Sequence, residues 1–274
     1  MKKKLTLSLI TLIAFSSYKL NAQKLYVNSI STYAFSMAPM NISANYSPNK
    51  IESVRSSFGK GIDLGFGIGY HFSSNISAEI NISYLLGGKV EFTDSSNPYT
   101  PKETETLQGK MFRAIPTLKF SAGEKKLKPY AKIGCVIGLG TTLTDKSVSY
   151  NSLLGGSFDK IEETAVFSGG MSIGMKGNLG MDFNLTNKLA VFAEVNFISQ
   201  AWAPKKIETI SYTVNGVDQL ATLDQRDKVI EFVDSYDPNV NIEPHQNNKS
   251  LKIYLPYSCW GANIGVKFTF GKAE

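Results

Sequence analysis

From Gly170 to Leu185 the chain alternates strictly. Met171, Ile173, Met175, Gly177, Leu179, Met181, Phe183 and Leu185 fall on one phase, and Ser172, Gly174, Lys176, Asn178, Gly180, Asp182 and Asn184 on the other. A period of two is that of a strand with one apolar and one polar face. Thr186-Asn187-Lys188 turns the chain, and Leu189, Val191, Ala193, Val195 and Phe197 continue the apolar face opposite Glu194 and Asn196. The ribbon from Val166 to Phe197 is long for a soluble protein, where strands are mostly about 5–6 residues.

The same unit recurs. Ile62, Leu64, Phe66, Ile68, Tyr70 and Phe72 alternate with Asp63, Gly65, Gly67, Gly69 and His71. After Ser73-Ser74-Asn75, the residues Ile76 to Leu86 alternate in the same way. Phe112 to Phe120, Ala131 to Leu139 and Trp260 to Phe270 give three further strands, and Leu25 to Phe35 a first strand whose phase is not readable. Pro116 lacks the N–H a ladder needs, so a bulge or break is expected there. Long polar connections (36–59, 87–108, 141–165, 203–250) alternate with short turns (73–75, 123–128, 186–188). Seven connections predict eight antiparallel strands in an all-β up-and-down barrel, with all the long loops at one end. Within loop 203–250, Asn215-Gly216 between β-branched runs predicts a hairpin. Thr222 and Gln225 predict a capping box for a short helix through Val233.

Alternation fits two barrels: a soluble lipocalin-like one with an apolar interior, and a transmembrane one with an apolar exterior. Glycine chooses between them. Gly65, Gly67, Gly69, Gly134, Gly138, Gly140, Gly174, Gly180, Gly261 and Gly265 all share the polar phase. There they relieve crowding in a narrow lumen, whereas on a solvated face they would only weaken strands. Tyr70, Phe72, Phe120, Phe183, Phe268 and Phe270 cluster on the apolar phase near the short turns, forming one interfacial girdle. Tyr84 and Trp260 contribute to the other. Short turns at one end and long loops at the other complete the transmembrane pattern: periplasmic turns and extracellular loops.

Export agrees with this. Lys2-Lys3-Lys4, the apolar run Leu5 to Phe15 and a c-region ending at Ala22 read as a signal peptide over 1–22, leaving a barrel domain over 23–274. The chain carries 29 basic and 23 acidic residues; removing Lys2, Lys3, Lys4 and Lys19 lowers the net charge from +6 to +2. With no polybasic run left, nucleic acid is not an expected partner. Cys135 and Cys259 fall on opposite phases, which argues against a disulfide.

Gln23 after the cut, the Ile62–Leu86 and Gly174–Phe197 hairpins and the aromatic end of the last strand together resemble the small outer-membrane β-barrel proteins of the OmpA/OmpX type. They resemble especially the porin-family β-barrel domain proteins of Bacteroidota-like Gram-negative bacteria. The resemblance covers essentially all of 23–274 and is specific for architecture, not activity. It implies residence in the outer membrane, contact with its lipid and lipopolysaccharide, and insertion by the barrel-assembly machinery. One departure is that four residues follow Phe270, where such chains usually end on the aromatic.

Candidate chemistry is sparse. Asp63, Glu79, Asp182 and Glu194 share the lumen phase with Arg113, Lys119, Lys132, Lys176 and Lys267, so paired networks are expected to fill a narrow lumen. The function this favours is structural or surface-binding, through long loops that contact an extracellular ligand. One alternative is a small porin-like diffusion channel. Another is a lipid-modifying hydrolase using His71 and Ser73 with Glu79. Asp234, Asp237, Asn239, Asn241 and Glu243 form an oxygen-rich run without EF-hand spacing. No catalytic residue, metal or cofactor is expected.

Overall fold

The computed structural model describes residues 25–37, 40–97, 99–123, 126–153 and 156–270. The expected signal peptide and the four residues after Phe270 lie outside them. Eight strands form the wall: β1 (Leu25–Ser36), β2 (Gly61–His71), β3 (Ile76–Gly87), β4 (Glu103–Ser121), β5 (Leu127–Ser152), β6 (Ser172–Asn184), β7 (Leu189–Trp202) and β8 (Cys259–Thr269). Each pairs antiparallel with its neighbours in sequence. β8 closes on β1, from Tyr26 opposite Thr269 to Ser36 opposite Cys259. The result is a closed eight-stranded up-and-down barrel with no open edge.

The faces are those of a transmembrane barrel. Outward side chains are large and apolar, with Phe66, Ile80, Met175, Leu179 and Ile264 each about 60% or more exposed. The inward side chains include eight buried charged residues: Asp63, Glu79, Arg113, Lys119, Lys132, Asp182, Glu194 and Lys267. Such an arrangement is stable only where hydrocarbon meets the outer face. Short turns close one end. Ser73 Oγ accepts from the amides of Asn75 and Ile76, and Thr186 Oγ1 from those of Lys188 and Leu189.

Several expectations need correction. β4 begins earlier and β5 ends later than alternation suggests, because 103–108 and 141–152, read as loop, continue the ladder above the membrane. The phase is lost there at a bulge. Lys110 pairs with Thr142 but Phe112 with Leu139. The extra residue is taken up at Gly140, whose φ of +56° suits glycine. Gly140 is therefore exposed at the bulge and not in the lumen, and Leu143 turns inward although Leu139 faces out. Nor is Val166–Phe197 one ribbon. Phe158–Ser168 is a separate strand, and Gly169 and Gly170, with φ of +78° and +79°, break the chain before β6. A Cβ on Gly170 would lie 2.3 Å from the Ala203 carbonyl oxygen. The expected helix shrinks to a 3₁₀ turn, Leu220–Thr222, and four residues, Gln225–Lys228. Val229–Val233 is extended because its β-branched start pairs with Lys206–Glu208. The expected break at Pro116 is present: on the β5 side the register passes from Ala114–Ile137 to Thr117–Gly134, leaving Ile115 and Pro116 unpaired.

The loops carry strands of their own. The first holds a hairpin, Met40–Ser47 with Lys50–Ser56. Val90–Asp94 adds to the top of β4. Phe158–Ser168 adds to the top of β5, Lys206–Val214 to that, then Val229–Val233, and Asn248–Leu251 in parallel. The expected hairpin turn is found, with Asn215 and Gly216 at φ +52° and +80°, as a type I′ turn requires. The barrel wall thus runs into a free-standing extracellular sheet. The twelve residues 141–152 of β5 give it up to about 40 Å of strand length.

Candidate functional site

The lumen is packed in layers. At the periplasmic end Asp182 Oδ2 accepts from Lys119 Nζ at 2.7 Å and Lys267 Nζ at 2.6 Å. Above it Lys132 Nζ bridges Glu79 at 3.0 Å and Glu194 at 3.2 Å. Each carboxylate has further donors. Tyr26 and Asn81 donate to Glu79, and Tyr130, Asn178 and Asn263 to Glu194. All these charged groups are nearly or fully buried, and buried charges persist only when paired in this way. Glycines give the rings room: a Cβ on Gly69 would lie 2.1 Å from the Tyr26 ring, and one on Gly180 2.7 Å from that of Tyr130. Arg113 Nη1 donates to Asp63 at 2.9 Å one level higher. Of the nine lumen charges, Lys176 alone has no partner of opposite charge within 4 Å among the described residues.

Over these lies an apolar seal that the sequence reading missed. Phe58, Leu85, Met111, Leu143, Trp202 and Tyr257 are at most 1% exposed and pack together with Val90, Phe92 and Leu107 across the extracellular mouth. Phe58 comes from the first loop and Tyr257 from the last. The two segments are tied by Phe58 N–H donating to the Pro256 carbonyl at 2.8 Å and Ser57 Oγ donating to the same oxygen at 3.1 Å. A Cβ on Gly59 would lie 2.1 Å from the Tyr257 carbonyl oxygen, so only glycine permits this approach. Trp202 Nε1 donates to the Gly169 carbonyl at 2.9 Å. A signal for the seal existed: Tyr84-Leu85-Leu86 and Met111-Phe112 are apolar on both phases.

Above the seal, the extracellular sheet carries two features. The inner side places Glu105, Asp145 and Glu163 on adjacent strands. Burial first, then Glu105 and Glu163, pushes the Asp145 carboxyl up to about 7, and burial raises that of Glu105. Thr209 Oγ1 donates to Glu163 at 2.7 Å. Farther along, the last loop forms an open cleft of about 510 Å³ beside the bulged Ile210, lined also by Glu208, Asp218, Leu220, Gln225 and Lys228.

The other predicted residues are placed as follows. Tyr70, Phe72, Phe120, Phe183, Phe268 and Phe270 lie on the outward face near the short turns. Tyr70 packs edge-on to Phe72, Phe268 edge-on to Phe270, and Lys126 Nζ lies over the Phe183 ring. At the opposite rim Tyr33 and Phe35, from the strand of unreadable phase, join Trp260, on which Phe35 stacks at 4.6 Å. His71 packs tilted against Tyr26 with ring centroids 4.5 Å apart, Glu79 is taken by Lys132, Tyr26 and Asn81, and Ser73 caps its turn. The structure does not bring these three together as a hydrolase site. Asp234 pairs with Lys252, while Asp237 caps Asn239. Cys259 is buried and Cys135 partly buried, both as free thiols.

No family model and no curated protein sequence matches the chain. Among solved structures it is similar to Neisserial surface protein A, at 13% identity and a TM-score of 0.41 over 90% of this chain and 97% of that one. It is also similar to the outer membrane protein OprG from Pseudomonas aeruginosa, at 14% identity and a TM-score of 0.43 over 90% of this chain and 96% of that one.

Proposed function

We propose that this chain is an outer-membrane surface protein that acts through the sheet and cleft its loops build over a closed barrel. The apolar core across the mouth carries this reading. A diffusion pore needs a continuous water path, and here buried aromatic and aliphatic side chains from all four long connections cross it above an ion-paired lumen. The sheet above that core is ordered by ladder hydrogen bonds and presents a concave surface, as a binding element should. In the bilayer the outward belt contacts lipid and lipopolysaccharide, and the barrel-assembly machinery inserts the strands. Single-channel recording of refolded protein tests the reading. No conductance steps are expected from the native chain, and steady conductance overturns it.

The porin-like alternative keeps one observation in its favour. The seal depends on two loop segments joined at Phe58 and Pro256, so one loop movement would open the mouth. On that reading the native chain conducts. On ours, neither the native chain nor a seal variant such as Phe58→Ser conducts, because the paired charges still close the lumen below the mouth.

A further inference from the structure

The lumen charges divide into two layers with different balances. In the lower layer three carboxylates, Glu79, Asp182 and Glu194, meet three ammonium groups, Lys119, Lys132 and Lys267, and every one is in an ion pair. The upper layer holds Asp63, Arg113 and Lys176, each eight residues from the periplasmic end of its strand at His71, Ser121 and Asn184. Two positive charges there face one negative. Asp63 is committed to Arg113 through Nη1, and Lys176 has no carboxylate within 4 Å among the described residues. Arg113 is 1% exposed, yet its Nε and Nη2 find no protein acceptor. The apolar seal closes this layer from above, and the balanced network closes it from below.

A buried guanidinium with unused donors on the same level as a partly buried, unpaired ammonium is unfavourable unless an acceptor of opposite charge joins them. We propose that the upper lumen binds one small monovalent anion, of halide size, between Arg113 and Lys176. An anion there brings the lumen to neutrality and takes the free Arg113 donors. The Asp63 carboxylate, whose Oδ1 is also unpartnered, stays on the Nη1 side of the guanidinium and limits the site to a single negative charge. Val136, fully buried between Gly134 and Gly138, packs with Ile115 and Ile198 in the same stretch of the lumen, and Ser172 and Gln200 take the space beside Gly138. The seal restricts the site to a small ion.

The site rests on the closed-lumen part of the function proposed above, and two measurements separate the two ideas. The first is diffraction from crystals grown in bromide, read at the bromine absorption edge. An anomalous peak between the Arg113 guanidinium and Lys176 Nζ is expected. A lumen without one overturns the site. The second is thermal unfolding in detergent at fixed ionic strength, with chloride or bromide exchanged for gluconate. The unfolding midpoint is expected to rise with halide in the native protein, following the mass action of a ligand that binds only the folded state, and to become halide-independent in Lys176→Met. A midpoint that follows ionic strength alone, equally in both proteins, overturns the site. Should Lys176→Met fail to fold, Lys176→Gln serves, and the bromide peak decides on the native chain alone. Conductance in the native barrel together with a bromide peak would sink the closed-lumen function and keep the anion site.

Discussion

At the scale of single residues, stability is concentrated in a few shared acceptors. Asp182 Oδ2 serves both Lys119 and Lys267. Asp182→Asn leaves two buried ammonium groups without a counter-charge and is expected to cost about 3–5 kcal/mol, the typical result of breaking a buried pair. Adding Lys119→Met and Lys267→Met should recover most of that loss, since apolar groups of similar volume carry no desolvation penalty. Urea unfolding monitored by the heat-dependent gel shift of folded barrel measures both, and a triple variant weaker than the single one would refute the argument. Asp145 gives the opposite sign. Its folded-state pKa is raised from 3.8 to about 7, so the folded sheet binds the proton more tightly than the unfolded chain. The extracellular sheet is therefore expected to gain stability as pH falls from about 7 towards 4, and to lose it as pH rises through that window. Hydrogen exchange over 142–152, corrected for the intrinsic pH dependence, should show this slope, and Asp145→Asn should flatten it.

At the scale of elements, the loops are built as part of the wall. The ladder of β4 and β5 rises past the bulge at Gly140 and templates Phe158–Ser168, which in turn templates Lys206–Val214. The seal is where these elements meet the barrel. Phe58→Ala removes a 1% exposed ring from its centre and should cost about 3–5 kcal/mol. Because the ring belongs to a loop, that loss is expected in the loops, as faster proteolysis of 37–60 and 203–258, with the transmembrane strands still folded. Equal loss of both would show that mouth and wall unfold as one unit. Sequence alternation located every barrel strand but not the tops of β4 and β5. A bulge shifts the phase by one residue, and Thr, Ser and Lys on both faces leave no pattern above the membrane.

For the whole molecule, closure and loop sheet are separable. All eight wall strands pair with one another, and β8 closes on β1 without any contribution from the last loop. Replacing 206–251 by a short polar linker should leave a barrel that still shows the heat-dependent gel shift, while exposing the edge of Phe158–Ser168 and removing the cleft. A chain that no longer folds would mean that the loop sheet is needed for closure. Exchange should be slowest in the lower lumen strands and fastest in the distal ribbon, where neither face is fully buried.

The sequence by itself determined the strand number, the antiparallel order, the side that faces lipid and which nine charges share the lumen phase. All of these follow from a period of two and from loop lengths, which are local properties. Which charge pairs with which is a different matter. That Asp182 takes two lysines while Lys176 takes none depends on strand tilt and stagger around a closed wall, and no single strand encodes them. The apolar seal likewise exists only in three dimensions. Phe58, Leu85, Met111, Trp202 and Tyr257 are far apart in the chain and become a core only when loops from several hairpins converge on one mouth.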